Sequence, residues 1–238
     1  MFPKGSTIIV GLSGGADSVC LMDLLYKAGY VVVAAHVNFH LRGSESDRDE
    51  AFVRELCCER YPEAKLVVRS VDTIGYAREQ RLSVEMAARD LRYAWFGDLL
   101  HSYEAVAIAV AHHAGDQVET LLLNLARGTG GRGFCGMRTL DRRTGIWRPL
   151  LSVTHDEILQ YLSEQHLPHM EDSSNEDPSI TRNLIRHKLI PLFQEINPSF
   201  TSGAIRTMSH LREEQEYLDR QVAQAKVVLW DEGCGCLD

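Results

Sequence analysis

The sequence lacks any apolar stretch near the roughly 18 residues that a membrane-spanning helix requires. Residues 1–4, Met-Phe-Pro-Lys, lead into a strand-like run and show no apolar signal-peptide core. We therefore expect no membrane association and a cytoplasmic location. With 238 residues, of which 45% are hydrophobic, the chain is long enough for one sizeable core and an extension.

Two further absences limit the function. The six cysteines form no CxxC pair, the spacing that zinc, iron–sulfur and dithiol redox sites favour, so we expect reduced core thiols. Excess basic charge is also missing, because the formal net charge is -8. A protein that coats nucleic acid without selectivity is thereby disfavoured, whereas local basic patches are compatible with this charge.

Short apolar runs do alternate with amphipathic stretches. Strands are predicted at Thr7–Leu12, Tyr30–Val37, Leu66–Val71 and Ala105–Ala111, and helices at Asp17–Ala28, Asp47–Arg60, Ser83–His101 and Gly115–Arg127. The strands do not alternate apolar with polar residues, as expected where both faces of a sheet are covered. This order predicts an α/β fold with a doubly wound parallel sheet, whose ligands bind beyond the carboxyl ends of the strands.

Three more helices are predicted in the second half of the chain. One begins at the capping box Thr154–Glu157 and runs to Gln165. Another runs from Ile180 to Pro191 or a little beyond. A long C-terminal helical extension begins near Phe200, because mostly apolar residues then follow alternating steps of three and four.

The glycine loop, residues 13–18 with the sequence SGGADS, lies between the first predicted strand and helix. Gly14 and Gly15 let consecutive backbone amides converge on an anion, and the helix N-terminus adds positive potential, so a phosphate group is the expected ligand. Asp17 would repel phosphate unless a divalent cation lies between them, which implies Mg²⁺. An ordinary tight turn is the alternative, since neither the Walker nor the Rossmann spacing is present.

Seven more motifs follow in order: HVNFHLR at 36–42, AARDLRY at 87–93, AHHAGDQVET at 111–120, RGTG at 127–130, RPLL at 148–151, DSSN at 172–175 and RNLIR at 182–186. The loop resembles the SGGxDS signature of the PP-loop ATPases. Together the motifs are similar, in order and spacing, to the tRNA(Ile)-lysidine synthetase branch of that family, over about residues 6–198. Departures occur at Gly115 and at residues 129–131.

The resemblance implies an adenine-nucleotide α-hydrolase-like fold and a two-step reaction. ATP adenylates the ring carbonyl oxygen of the wobble cytidine in an isoleucine tRNA with a CAU anticodon, and the ε-amine of free L-lysine then displaces AMP. The products are lysidine, AMP and pyrophosphate. ATP contacts are implied for Ser13, Gly14, Gly15, Ala16, Asp17, Ser18 and His36, with Mg²⁺ at Asp17.

The resemblance also implies a domain organisation. We expect a PP-loop catalytic domain at residues 1–199, and a linker helix at 200–238 that begins a further C-terminal domain. The long helix needs a partner for its apolar seam, which the main domain, a second copy of the chain or that further domain could supply. A homodimer is therefore one of the expected assemblies.

Titratable residues cluster after the fourth predicted strand. His112 and His113 end this strand, and Asp116 and Glu119 share one face of the next helix. Attack by an amine requires neutral lysine, so a carboxylate must orient the amine and help remove its proton. These four residues and Asp17 are the candidate catalytic residues. The alternative is that the acids complement the helix dipole and the histidines pair with backbone, while zinc fits less well than Mg²⁺ or an ammonium group.

Basic residues supply the candidate tRNA contacts. Residues 127–148 contain six arginines and one acid, and are predicted to form a mobile basic loop. The candidate substrate-side residues are Arg42, Glu85, Arg89, Arg92, Arg127, Asp172, Asn175, Arg182 and Arg186. Arg182 and Arg186 are spaced i, i+4, which predicts a shared helix face. Solvated helix faces and structural ion pairs are the alternatives.

Three other functions stay open from the sequence. A tRNA thiolase would share the loop but needs cysteines that carry sulfur or a cluster, and past the predicted core the only close spacing is Cys234-Gly-Cys236. An amidotransferase-type synthetase needs an ammonia source, for which no motif is present. A non-catalytic ATP-binding sensor would bind ATP without turning it over, so lysine-dependent pyrophosphate release distinguishes it from the ligase.

Overall fold

The computed structural model describes residues 2–171, 181–231 and 236–237. Asp172 and Asn175, two predicted substrate-side residues, lie outside them. The chain forms two compact units, Met1–His113 with Arg138–Ser174 and Ala114–Met137 with Asn175–Asp238. Within the described residues, no helix combines the length and the apolar composition needed to cross a membrane.

The first unit contains a six-stranded sheet in the order β3-β2-β1-β4-β6-β5. Its strands are β1 Thr7–Gly11, β2 Val31–Asn38, β3 Lys65–Ser70, β4 Ala107–Ala109, β5 Leu140–Asp141 and β6 Ile146–Trp147. The neighbouring strands pair in parallel except β5 and β6, which pair antiparallel. The predicted doubly wound parallel sheet is confirmed for β1 to β4, whose residues Ile8, Ile9 and Val10 are fully buried.

The helices of both units, in chain order, are α1 Ala16–Lys27, α2 Ser44–Arg60, α3 Thr73–Gln80, α4 Val84–Ser102, α5 Ala114–Arg127, α6 Gly131–Phe134, α7 His155–Glu164, α8 Thr181–Leu184, α9 Ile190–Ile196 and α10 Phe200–Leu229. Capping interactions explain where several of these helices begin or end. The Ser83 side chain accepts from the Met86 amide at the start of α4, and both halves of the predicted capping box form at α7. Gly29, with φ +83°, follows the end of α1.

Residues 127–148 do not form the predicted irregular loop. Arg127 ends α5, the short helix α6 follows, and β5 and β6 then extend the sheet of the first unit. Arg148 is buried, at 7% exposure, so it is not part of a solvent-exposed basic surface. The prediction is wrong because strands of two residues are too short to show a period among arginines and glycines.

The second unit packs α5 against the C-terminal helices. Val118, Leu122 and Leu123 of α5 form an apolar cluster with Ile185 and Ala204. The helix predicted from Ile180 is in fact three segments, because a π-helix at Ile185–Leu189 separates α8 from α9. Arg182 lies in α8 and Arg186 in the π-helical segment, and the charges of both act on Glu119, as the predicted shared face would require.

The long helix predicted near Phe200 is confirmed as α10, which has 30 residues. Among the side chains that the structure describes in α10, Ala204 and Met208 of the seam are buried, whereas Leu218 and Val222 are 54% and 53% exposed. After α10 the chain forms a short antiparallel pair, β7 Trp230–Asp231 with β8 Cys236–Leu237.

Candidate active site

The glycine loop directs its backbone amides at its own serine hydroxyls. The amides of Ser13 and Gly14 donate to Ser18 Oγ at 3.1 and 3.2 Å, and the Gly15 amide donates to Ser13 Oγ at 3.3 Å. Gly14 has φ +97°, and a side chain there would also meet Phe52 and Val53, so glycine is required. The loop therefore presents three convergent donors, as an anion site needs.

Asp17 and two histidines form a cluster beside this loop. His155 Nδ1 lies 3.1 Å from Asp17 Oδ1, and His113 Nε2 lies 3.8 Å from Asp17 Oδ2. The side chains of Asp17 and His155 are 33% and 49% exposed, while His113 is buried. The cluster brings together a carboxylate predicted to bind Mg²⁺, a predicted catalytic histidine and a histidine that the sequence analysis did not select.

His112 faces an arginine. Arg148 Nε donates to His112 Nδ1 at 3.3 Å, and Arg148 Nη1 donates to the Arg138 carbonyl at 2.9 Å. An imidazole whose Nδ1 accepts from a guanidinium carries its proton on Nε2. Arg148 thus fixes the tautomer of His112, so that the Nε2–H of this ring is a hydrogen-bond donor.

His36 contacts the residue that precedes the glycine loop. Its side chain is buried, and its Nδ1 makes a 2.9 Å hydrogen bond with the carbonyl of Leu12, the residue before the loop. Burial lowers the pKa of His36, which favours the neutral ring. His36 was predicted to contact ATP; its contact in this structure positions the strand end from which the loop begins.

The predicted substrate-side residues of the first unit engage neighbouring side chains. Arg42 Nη2 forms a 2.7 Å ion pair with Asp49. On α4, Glu85 is exposed, the Arg89 guanidinium lies over the Tyr93 ring, and that of Arg92 lies 5.2 Å from the centre of the Phe39 ring. The cation–π contacts hold both arginines against aromatic rings, a geometry that also suits stacking with nucleobases.

A buried carboxylate lies in the second unit. Glu119 of α5 is 1% exposed, and its Oε1 accepts from Arg186 Nε at 2.6 Å. Arg186 Nη2 lies 3.5 Å from Asp116 Oδ1, so one guanidinium joins both carboxylates and confirms that they share a helix face. Burial raises the pKa of Glu119 above the usual range of a glutamate, and the Arg186 charge opposes this shift.

Glu119 Oε2 is buried and has no hydrogen-bond partner among the residues that the structure describes. Such an oxygen is costly in a native protein and marks a position where a donor is expected. Arg182, in α8, contributes positive charge to the surroundings of Glu119, and Arg127 is exposed at the end of α5.

Residues 3–193 match the family described as the PP-loop domain. The chain belongs to this family. Its PP-loop is the glycine loop at 13–18, and membership implies that the chain binds ATP.

Several curated relatives of this PP-loop chain share one name. It is 51% identical over 212 residues to the tRNA(Ile)-lysidine synthase of Porphyromonas gingivalis strain W83, a match that covers 89% of this chain and 46% of that protein. The enzymes of the same name from Bacteroides thetaiotaomicron and Bacillus subtilis are 47% and 38% identical, with 95% and 90% of this chain and 52% and 46% of those proteins covered. The chain thus spans about half the length of the curated relatives it matches.

Solved structures confirm the fold. The U34-tRNA thiolase NcsA of Methanococcus maripaludis superposes with a TM-score of 0.70 at 18% identity, covering 88% of this chain and 72% of that one. The NMN synthetase of Francisella tularensis gives a TM-score of 0.51 at 13% identity, over 90% of this chain and 87% of that one. At these identities the likeness concerns the PP-loop fold alone.

Sequence reasoning missed His155 and Arg148. His155 begins α7, the helix after β6, and β6 is parallel to β4. Because β6 was not predicted, nothing placed the start of α7 at the same sheet edge as the PP-loop. The RPLL motif at 148–151 begins with Arg148, and this motif was the available signal for Arg148.

Proposed function

We propose that this chain provides the catalytic site of a tRNA(Ile)-lysidine synthase, which uses ATP to join free L-lysine to the wobble cytidine of an isoleucine tRNA with a CAU anticodon. The observation that carries the proposal is the buried Glu119 carboxylate, one oxygen of which has no partner among the described residues. An amine-bearing substrate supplies the missing donor. The shared name of relatives 35–51% identical to this chain supports the same reaction.

The PP-loop is suited to the pyrophosphate end of ATP. The amides that donate to Ser13 and Ser18 hydroxyls can donate to phosphate oxygens, and the N-terminus of α1 adds positive potential. Mg²⁺ bound through one carboxylate and substrate phosphates is a common arrangement, and the partly exposed Asp17 carboxylate beside the loop fits it. Bound there, Mg²⁺ would neutralise charge on the pyrophosphate leaving group.

In the first step the ring carbonyl oxygen of cytidine forms a bond to the α-phosphorus of ATP, and the bond to the bridging oxygen breaks to release pyrophosphate. Donors of the PP-loop stabilise the charge that develops on the phosphates. Neutral His112, whose proton is on Nε2, can donate a hydrogen bond and does not serve as the base at Nδ1. A covalent enzyme intermediate is not needed.

In the second step the lysine ε-amine attacks the ring carbon that carries the adenylate, and the carbon–oxygen bond to AMP breaks. The amine arrives mostly as ammonium and must lose a proton. Glu119 is suited to accept it, since burial raises the pKa of this carboxyl and Arg186 orients it. Asp116, held by the same guanidinium, provides a second carboxylate for the ammonium group.

The tRNA contacts are part of the proposal. The residues proposed to contact the tRNA or the other substrates are Arg42, Glu85, Arg89, Arg92, Arg127, Arg182 and Arg186, together with Asp172 and Asn175. His113 is assigned to the phosphates through its contact with Asp17. A domain boundary near residues 199 and 200, a homodimer and a cytoplasmic location are further parts of the hypothesis.

The test is lysine incorporation into an isoleucine tRNA transcript with a CAU anticodon, in parallel with tRNA-dependent ATP–pyrophosphate exchange. Glu119→Gln should reduce lysine incorporation much more than exchange, because the adenylation step does not require the base. Glu213→Gln, which changes an exposed glutamate of α10, is the matched control. Equal loss of both steps in Glu119→Gln would instead assign Glu119 to Mg²⁺. Pyrophosphate release that continues beyond one equivalent per enzyme without lysine would contradict the ligase.

A further inference from the structure

The cluster beside the PP-loop has the donors of a transition-metal site. Asp17, His113 and His155 each offer one ligand atom, and these atoms all lie within 4.8 Å of one another. Bonds of about 2.0–2.1 Å to a tetrahedral ion place its ligand atoms about 3.3 Å apart. His155 Nδ1 lies 3.1 Å from Asp17 Oδ1 and His113 Nε2 lies 3.8 Å from Asp17 Oδ2, so each imidazole is near one carboxylate oxygen, and small side-chain rotations bring three ligand atoms to this spacing.

We propose that Asp17, His113 and His155 form a binding site for a divalent transition metal of the Zn²⁺ and Co²⁺ class. The donor set decides the class of ion. Imidazole nitrogen favours Zn²⁺, Co²⁺, Ni²⁺ and Cu²⁺, whereas Mg²⁺ favours oxygen ligands in octahedral geometry. With two nitrogen ligands and one carboxylate, the cluster selects the former group.

The three ligands are held by separate elements of the first unit. Asp17 lies in the first turn of α1, and His155 begins α7, whose start is fixed by the capping box of Thr154 and Glu157. His113 lies after β4 and is 7% exposed. Fixed backbone positions of this kind reduce the conformational entropy that metal binding costs.

The cluster is also open to an entering ion. Asp17 and His155 are one-third and one-half exposed, so an ion can reach the three ligand atoms from solvent. Three protein ligands leave one tetrahedral position for water or for a phosphate oxygen. A transition metal would thus share Asp17 with the Mg²⁺ of the proposed ATP complex, and the two histidines decide which ion binds more tightly in the absence of nucleotide.

This inference is independent of the lysidine proposal, because its test requires neither ATP, lysine nor tRNA. The metal-free protein is titrated with Co²⁺, and the visible absorption and the number of ions bound per chain are measured. We expect one Co²⁺ per chain with the intense visible bands of four-coordinate Co²⁺, displacement by Zn²⁺, and little displacement by a large excess of Mg²⁺.

Variants identify the ligands. His155→Gln and Asp17→Asn should each weaken Co²⁺ binding by at least about tenfold, since even outer-shell partners of metal ligands contribute that much. His113→Gln is a further ligand variant if either of these does not fold, as judged by circular dichroism. His210→Gln, at an exposed histidine of α10, should leave binding unchanged.

The cysteines provide a competing explanation that the same titration resolves. Ligation by sulfur would add near-ultraviolet charge-transfer bands and would be lost in a chain with Cys234 and Cys236 replaced by serine. The proposal is overturned if that variant loses Co²⁺ while His155→Gln retains it, or if bound Co²⁺ shows only the weak spectrum of the six-coordinate ion. Failure of lysine transfer leaves this outcome unaffected.

Discussion

Asp17 and Glu119 are carboxylates assigned to the same reaction, but their surroundings are opposite. Asp17, in the first unit, is one-third exposed and lies beside two imidazoles. Glu119, in the second unit, is 1% exposed and is held by a guanidinium at 2.6 Å. The exposed carboxylate can exchange hydrated cations, whereas the buried one has a fixed partner and an altered proton affinity.

Burial, more than residue type, distinguishes the cation-binding role proposed for Asp17 from the proton-accepting role proposed for Glu119. A carboxylate that must bind and release an ion with each turnover cannot pay the desolvation cost of a fully buried charge. A carboxylate that must accept a proton near neutral pH benefits from burial, which raises its pKa. Changes at Asp17 should therefore affect activity with little effect on stability, whereas changes at the Glu119–Arg186 pair should affect stability as well as lysine transfer.

The largest effect is expected for Asp17→Asn, which keeps the size of the side chain and removes its charge. Pyrophosphate release in the presence of tRNA should fall about 1,000-fold, the upper range for losing one electrostatic contribution to a transition state. Thermal unfolding should be nearly unchanged, because the carboxylate is partly exposed. Near-normal turnover of the folded variant would remove Asp17 from the mechanism.

Arg186→Met tests the buried pair from the other side. Without the guanidinium, buried Glu119 loses its hydrogen-bonded ion-pair partner, so the free energy of unfolding at neutral pH should fall by about 3 kcal/mol. Urea denaturation at pH 7 measures the change. Arg206→Met, at an exposed arginine of α10, is the matched control and should change stability by less than about 0.5 kcal/mol. Similar values for both variants would show that the pair contributes nothing beyond a surface contact.

The adjacent thiols Cys57 and Cys58 allow a second comparison of a buried with an exposed titratable group, outside the candidate active site. Cys57 is buried, which raises its pKa to about 11, whereas Cys58 is exposed. Only the thiolate reacts, so alkylation at pH 8 should modify Cys58 more than about tenfold faster than Cys57. Mass spectrometry of the peptide containing both residues gives the two rates. Comparable rates in folded protein would mean that this face of α2 opens readily.

The sequence predicted the surroundings of the exposed Asp17 better than those of the buried Glu119. The PP-loop and strands β1 to β4 are local patterns, and the loop residues from Ser13 to Ser18 lie together as expected. His155 was missed because its position depends on β6, which has only two residues. The pairing of Glu119 with Arg186, 67 residues apart, depends on how α5 packs against the later helices, and no local pattern reports it.

The apolar seam of α10 shows the same limit of prediction from local sequence patterns. Periodicity predicted the helix and its apolar face, and Met208 is buried as such a face requires. The pattern continues without change to Leu218 and Val222, which are exposed. Covering a seam depends on a partner surface, so periodicity gives the face of a helix but not the extent to which that face is packed.

The smallest expected effect concerns the pH dependence of stability. Because the folded-state pKa of Glu119 is raised by burial, the folded protein favours the protonated carboxyl, and stability is lost as pH rises from the unfolded value, about 4.3, through the folded value. The Glu119→Gln variant has no ionisable group at this position, so its stability should not decrease in this way as pH rises. The difference should be smaller than the roughly 3 kcal/mol expected for Arg186→Met.

Urea denaturation of the wild type and Glu119→Gln at several values between pH 4.5 and 7.5 measures this difference, with Glu213→Gln as the exposed control. The free energy of unfolding of the wild type should decrease relative to Glu119→Gln as pH rises, because only the wild type must ionise a buried carboxyl. The opposite slope would mean that the Arg186 charge outweighs desolvation. Glu119 would then be a carboxylate of lowered pKa, suited to orient the lysine ammonium but not to accept its proton.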